Sequence, residues 1–109
     1  MTMQRITGAW RHRIILIDGA QLHAQPSQKL MNHSPDGFNW GYAGSGPAQL
    51  ALALLLTVTT DDEALFFHQE LKRDLVAQLP QSDFKVDFDL VRWLEKSRAR
   101  LSQNLSRRA

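Results

Sequence analysis

The chain has no cysteine among its 109 residues, so neither a disulfide framework nor a thiolate metal site is available to it. Its longest apolar stretch, Ala48 to Leu56, carries Gln49 and is far shorter than the ~20 apolar residues that cross a bilayer. Met1 to Ala9 shows no apolar run behind a basic start, so no secretory signal is read there and the expected compartment is the cytoplasm. Four histidines are present, His12, His23, His33 and His68, and none is spaced as a ligand pair. Nothing repeats at a fixed period, and no segment is of low complexity. No metal and no cofactor is expected. The length fits one domain with one core.

Glycine and aromatic residues are few, and they are concentrated. Of six glycines four (Gly37, Gly41, Gly44, Gly46) fall within ten residues, and between them stand Phe38, Trp40 and Tyr42 at every second position. Glycine serves where φ is positive or where backbone approaches a neighbour closely. A flexible linker has no use for three alternating aromatics, so the stretch reads as a fixed loop pinned to the body. It empties into a helix whose start is marked by Pro47, with Gly46 as the expected N-cap and Gln49 folding back on it. The run Ala48 to Leu56 is made of strong helix formers and is apolar on nearly every face, as a central buried helix is. The β-branched Thr57, Val58, Thr59 and Thr60 end it.

The pattern S-P-x-G-F-x-W-G-Y-x-G-S-G-P-A-x-L-A-L, carried by residues 34–52, resembles the signature of a family of small proteins of phages, plasmids and their bacterial hosts. That family has no assigned function. Ala43 stands where a further glycine belongs to the pattern. The likeness runs from the first strand to the helix at Trp93 and Leu94 and leaves the basic end uncovered. It implies a mobile-element context and supplies no reaction.

Acidic residues are absent from the last fourteen positions, where Lys96, Arg98, Arg100, Arg107 and Arg108 give a balance of +5. Residues 1–30 balance at +3 and residues 31–95 at −6, so the overall +2 conceals a strongly divided chain. Such a basic end suits either a solvated tail or a sequence-independent contact with nucleic acid. The domain is expected to span 1–101, with 102–109 as the basic tail.

Elsewhere the pattern is ordinary. Gln4 to Trp10 and Arg13 to Ile17 read as strands, and Asp18-Gly19 signals a hairpin that returns Ala20 to His23 antiparallel. Gln25-Pro26-Ser27-Gln28 reads as a break, and Lys29 to Asn32 as irregular chain or an edge strand. Thr60-Asp-Asp-Glu63 is a capping box opening a helix that continues through Gln78, with Ala64, Leu65, His68, Leu71, Leu75, Val76 and Leu79 on its inner stripe. Phe66 and Phe67 are consecutive and cannot share that stripe. Phe84 and Val86 mark a short strand, Asp87 caps a last helix, and Leu90, Val91, Leu94, Leu101 and Leu105 mark its stripe. The fold class is α+β: a small antiparallel sheet, mostly from the N-terminal third, packed on three helices.

Two functional readings follow. Gly44-Ser45-Gly46-Pro47 at a helix N-terminus is a backbone anion cradle for a small phosphate or carboxylate ligand, although it lacks the lysine of a nucleotide-binding loop and Pro47 removes a donor. A Ser34, His33 and Asp36 triad is adjacent in sequence and has no nucleophile elbow. The leading expectation is therefore a non-enzymatic mobile-element protein that binds a protein or ribonucleoprotein complex, with an inhibitor of a bacterial defence complex of the anti-CRISPR kind as its concrete form. Its contact candidates are Trp40, Tyr42, Gly44, Ser45, Gly46 and His33, with the five bases of the tail for nucleic acid. A homodimer is compatible with this, and no membrane partner is expected.

Overall fold

The computed structural model describes residues 2–108. Its centre is helix α2 (Ser45–Leu56), in which every residue from Gly46 to Leu55 is buried. Such a helix is held by tertiary packing on all sides. Around it lie a four-stranded antiparallel sheet and three further helices, an α+β arrangement.

The strands are β1 (Gln4–Ala9), β2 (Ile14–Ile17), β3 (Ala20–Leu22) and β4 (Phe84–Phe88), in the spatial order β3-β2-β1-β4. Asp18 and Gly19 turn the β2–β3 hairpin with φ of 49° and 84°, the paired positive values of a type I′ turn. Asp18 also accepts the Arg5 amide at 2.9 Å, tying the turn to β1. Period-two alternation sends Ile6, Gly8 and Ile15 inward. Gly8 is required there, because a Cβ would run into the Phe84 ring and come within 2.9 Å of Trp40 Cζ2. On the outer face Arg5 and Asp87, directly opposite in the β1–β4 register, form an ion pair at 3.0 Å. That use of Asp87 corrects the expected cap of the last helix. The β4 alternation Phe84, Val86, Phe88 carries the strand past Asp87, and Asp89 accepts the Arg92 amide instead.

Three helices besides α2 complete the layer. Residues expected as a break and an edge strand form the short helix α1 (Gln25–Leu30), opened by Pro26, whose missing N–H is harmless in a first turn. This is a fourth helix where three were expected. Helix α3 (Asp61–Asp74) starts on the predicted Thr60 cap, whose side chain accepts from the Glu63 amide. It ends earlier than Gln78: Leu75 leaves helical geometry with φ −125°, and a 3₁₀ turn (Val76–Gln78) follows. The Phe66–Phe67 ambiguity resolves with Phe67 in the core and Phe66 65% exposed. Helix α4 (Leu90–Arg108) runs without a break through position 101, so the basic end continues the helix. Leu90, Leu94 and Ser97 are its buried stripe, while Val91, expected on that stripe, faces solvent.

Trp40 is the largest fully buried side chain. Its ring meets Trp10 and Phe84 edge-on at centroid distances of 5.4 and 5.2 Å, and Nε1 donates to the Ser82 carbonyl at 3.1 Å. It thus joins the glycine-rich loop to β1 and β4 at one end of the sheet. Trp40→Ala should cost about 3–5 kcal/mol in chemical denaturation. A loss below about 1 kcal/mol would show that the loop does not depend on this side chain.

Candidate functional site

The segment between α1 and α2, residues 31–44, is fastened at three points. The first is Gln49, the lone polar side chain in the buried part of α2. Its Oε1 accepts the amides of His33 at 2.8 Å and Ser34 at 3.0 Å. Its Nε2 donates to Ser27 Oγ at 2.8 Å and to the Met31 carbonyl at 3.1 Å. One buried amide therefore uses its full capacity of two donors and two acceptors. Gln49 does not fold back on Gly46 as expected, because the helix begins earlier: Gly44 is the N-cap and Ala48 N donates to Gly44 O. Pro47 still costs nothing, since the first four amides of a helix lack intrahelical acceptors.

The second fastening is a histidine pair. His33 Nε2 and His68 Nε2 lie 2.9 Å apart, and His68 Nδ1 lies 2.7 Å from the Leu65 carbonyl. A carbonyl only accepts, so His68 carries its proton on Nδ1 and its Nε2 accepts from His33 Nε2–H. His68 is buried and hydrogen-bonded, the role its place on the α3 stripe suggests. Burial, then His68 and then Lys72, push the His33 pKa below its usual 6.5. Among the described residues no group of three His, Cys, Asp or Glu side chains is placed to hold a metal ion. The other two histidines are remote from this pair: His12 and His23 line a separate cleft of about 240 Å³ between the β2–β3 hairpin and Pro35–Phe38.

The third fastening lies at the far end of the loop. Asn39 Oδ1 accepts from the Trp40 amide at 2.9 Å and from Arg13 Nε at 3.1 Å. The Arg13 guanidinium lies 3.5 Å from the centroid of the Trp10 ring, a cation–π contact. Gly41, at φ 86°, donates its amide to the Val76 carbonyl at 3.0 Å and accepts from Gln81 Nε2 at 3.2 Å. Positive φ and the lack of space for a Cβ beside Gln81 both require glycine here.

These fastenings sort the sequence candidates. Trp40 is completely buried, so it is a strut of the loop and offers no contact surface, a correction to its place among the contact candidates. Tyr42 is 42% exposed at the loop's outer end, with its ring against Gly44 in a contact that leaves no room for a Cβ. Ser45 is exposed in the first turn of α2, whereas Gly46 is buried with Asn39 packed against it. His33 is half-buried and engaged with His68, while Ser34 gives its amide to Gln49. In the basic end Arg98 Nε donates to Glu63 at 2.7 Å and Arg100 pairs with Glu70 at 2.5 Å. The Arg98 guanidinium, and then the Thr59 hydroxyl, hold the Glu63 carboxyl at about 2. Lys96 and Arg107 are exposed, and Arg108 closes the helix with its side chain outside the described residues.

Gln49, Ser27 and Asn39 escape a reading of the sequence as site residues. The signal for Gln49 is its isolation, one amide among ten buried residues, which demands partners from outside its helix.

A family model described as "Family of unknown function (DUF6166)" matches residues 4–96, most of the chain. The protein thus belongs to this family, and the match takes in both the sheet and the pinned loop. No curated protein and no solved structure matches the chain.

A histidine whose folded pKa is depressed contributes stability above its unfolded value, and that contribution fades as pH falls and the unfolded chain binds the extra proton. Thermal stability should therefore decline as pH drops below about 6.5, and His33→Gln should flatten the decline. Equal pH profiles for the two proteins would show that His33 is not the group responsible.

Proposed function

We propose that this chain is a non-enzymatic binding protein, which grips a macromolecular partner through the outer end of the 31–44 loop. The observation that carries the reading is Tyr42, 42% exposed on a loop whose neighbours Trp40 and Gly41 are fixed by buried packing and backbone hydrogen bonds. Tyrosine is among the residues that dominate interface energetics, and it brings large contact area at low entropic cost. A pinned loop has already lost the freedom that binding would otherwise remove, so more of the contact energy appears as affinity. Ala43 and Ser45 are exposed beside it and let a partner come close.

In its concrete form the protein is carried by a mobile genetic element, works in the bacterial cytoplasm and inhibits a defence complex of the CRISPR kind. The support is the loop motif of residues 34–52 and the presentation of Tyr42. Expression in cells that carry a phage-targeting CRISPR system should restore phage plating, and the purified protein should co-elute with the interference complex. Tyr42→Ala should abolish both while leaving the melting temperature unchanged. Unrestored plating together with no co-elution would refute the defence-inhibitor form. Full activity of Tyr42→Ala would remove the loop from the interface.

A further inference from the structure

Strand β4 is an edge of the sheet, with β1 on one side of it and no strand on the other. Which of its backbone groups face outward follows from β1. The Arg5 carbonyl accepts the Asp18 amide at 2.8 Å and the Arg5 amide donates to Asp18 Oδ1, so the backbone polar groups of Arg5 point toward β2. These groups alternate sides along a strand, so those of Gln4, Ile6 and Gly8 point toward β4. Their register partners Phe88, Val86 and Phe84 are the ones hydrogen-bonded to β1, and the N–H and C=O of Lys85 and Asp87 point away from the sheet. Among the described residues no second strand pairs with β4, and no backbone group of a loop bonds to Lys85 or Asp87. Both side chains are exposed on the outer face, while Phe84, Val86 and Phe88 are half-buried on the inner one. A regular edge of five residues without proline or bulge is a template for another strand.

The sequence of the edge says which strand fits it. Phe84-Lys85-Val86-Asp87-Phe88 is its own complement when reversed: an antiparallel copy centred on Val86 sets Lys85 opposite Asp87 twice and Phe84 opposite Phe88 twice. Lys85 and Asp87 carry the outward backbone groups, so these become the hydrogen-bonded pairs and every outward N–H and C=O finds a partner. The apolar residues then fall at the positions without backbone bonds, where facing side chains come closest. On the outer face Asp87 of each copy stands between its own Arg5, at 3.0 Å, and Lys85 of the other. Sliding one strand by two residues, the step that keeps the backbone bonds, sets Lys85 against Lys85 or Asp87 against Asp87, and like charges directly opposite are unfavourable. The charges that would repel a strand in other registers thus select this one. We propose that two copies of the chain pair antiparallel through β4, centred on Val86, and join their four-stranded sheets into one. Isologous pairing of this kind places one patch against itself. The inference is independent of the Tyr42 loop.

Sedimentation equilibrium and amide hydrogen exchange of the full chain test it together. The wild type should sediment as twice 12.4 kDa at micromolar concentration. The amides of Lys85 and Asp87 should be protected in that dimer and lose their protection on dilution to the monomer. Lys85→Pro removes one outward N–H and no bond to β1, a change that an edge strand accepts, so it should sediment as a monomer with unchanged circular dichroism. Charge reversal gives a second test that leaves the backbone alone. Lys85→Glu sets acid against acid in its own homodimer, and Asp87→Lys sets base against base, so each alone should dimerise more weakly. Mixed together they form a heterodimer in which both contacts are opposite in sign, tighter than either homodimer by about tenfold. A wild type that stays monomeric up to millimolar concentration, a dimer whose Lys85 and Asp87 amides exchange as freely as in the monomer, or an equimolar mixture no tighter than its components would each overturn the proposal. So would a folded Lys85→Pro variant that remains a dimer, or a monomer that takes an unrelated extended peptide on β4.

Discussion

A single buried amide holds this structure in register. Gln49 lies on a helix that is otherwise apolar, and burying an amide without partners costs several kcal/mol. That cost forces the surrounding chain to supply four partners, and it does so from α1 (Ser27), from the turn after it (Met31) and from the start of the loop (His33 and Ser34). Hydrogen bonds carry direction where apolar contact does not, so Gln49 fixes the orientation of a short helix that has little packing of its own. Ser27 illustrates the dependence: it is fully buried, donates to the Ala24 carbonyl and accepts from Gln49.

From that anchor the loop dips to the surface at Pro35 and Asp36 and returns to the interior at Phe38 and Trp40. The His33–His68 pair adds a link to α3 that works in one tautomeric arrangement, with protons on His68 Nδ1 and His33 Nε2. Asn39 and Trp40 then join the loop to one end of the sheet, where β1, β2 and β4 meet, and Gly41 is held by the 3₁₀ turn. Beyond Gly41 the chain turns back to solvent at Tyr42. Among side-chain polar atoms buried from water none lacks a partner in the described residues, so the polar groups of the interior are engaged in architecture. Tyr42 on the loop and Phe66 and Leu105 on α3 and α4 are among the large apolar side chains left exposed.

Much of this was legible because local rules and tertiary demands agree. Asp18-Gly19 fixes a hairpin by its tolerance of positive φ, Thr60 caps α3 through its hydroxyl, and an apolar run behind Pro47 is a buried helix. The departures occur where a distant partner decides. Gln25 to Leu30 has turn chemistry, yet it is helical because Ser27 is drawn inward by Gln49, 22 residues on. Asp87 and Asp89 are both plausible caps, and the strand register with Arg5 decides between them. Glu63 completes only half of its capping box, since its carboxylate turns to Thr59 and Arg98. The pairing of His33 with His68 spans 35 positions and leaves no mark in the spacing. Arg98 and Arg100 read as free bases of a tail because the acids that hold them lie on another helix.

The claim that Gln49 clamps the loop is tested most directly by amide hydrogen exchange on Gln49→Met, a substitution close in shape that removes all four hydrogen bonds. Each buried group left without a partner costs about 1–3 kcal/mol, so the loop has reason to detach. The amides of His33 and Ser34 should lose their protection in the variant, while those of α2 and of β1 keep more of theirs. Protection at His33 and Ser34 equal to that of the wild type would contradict the account.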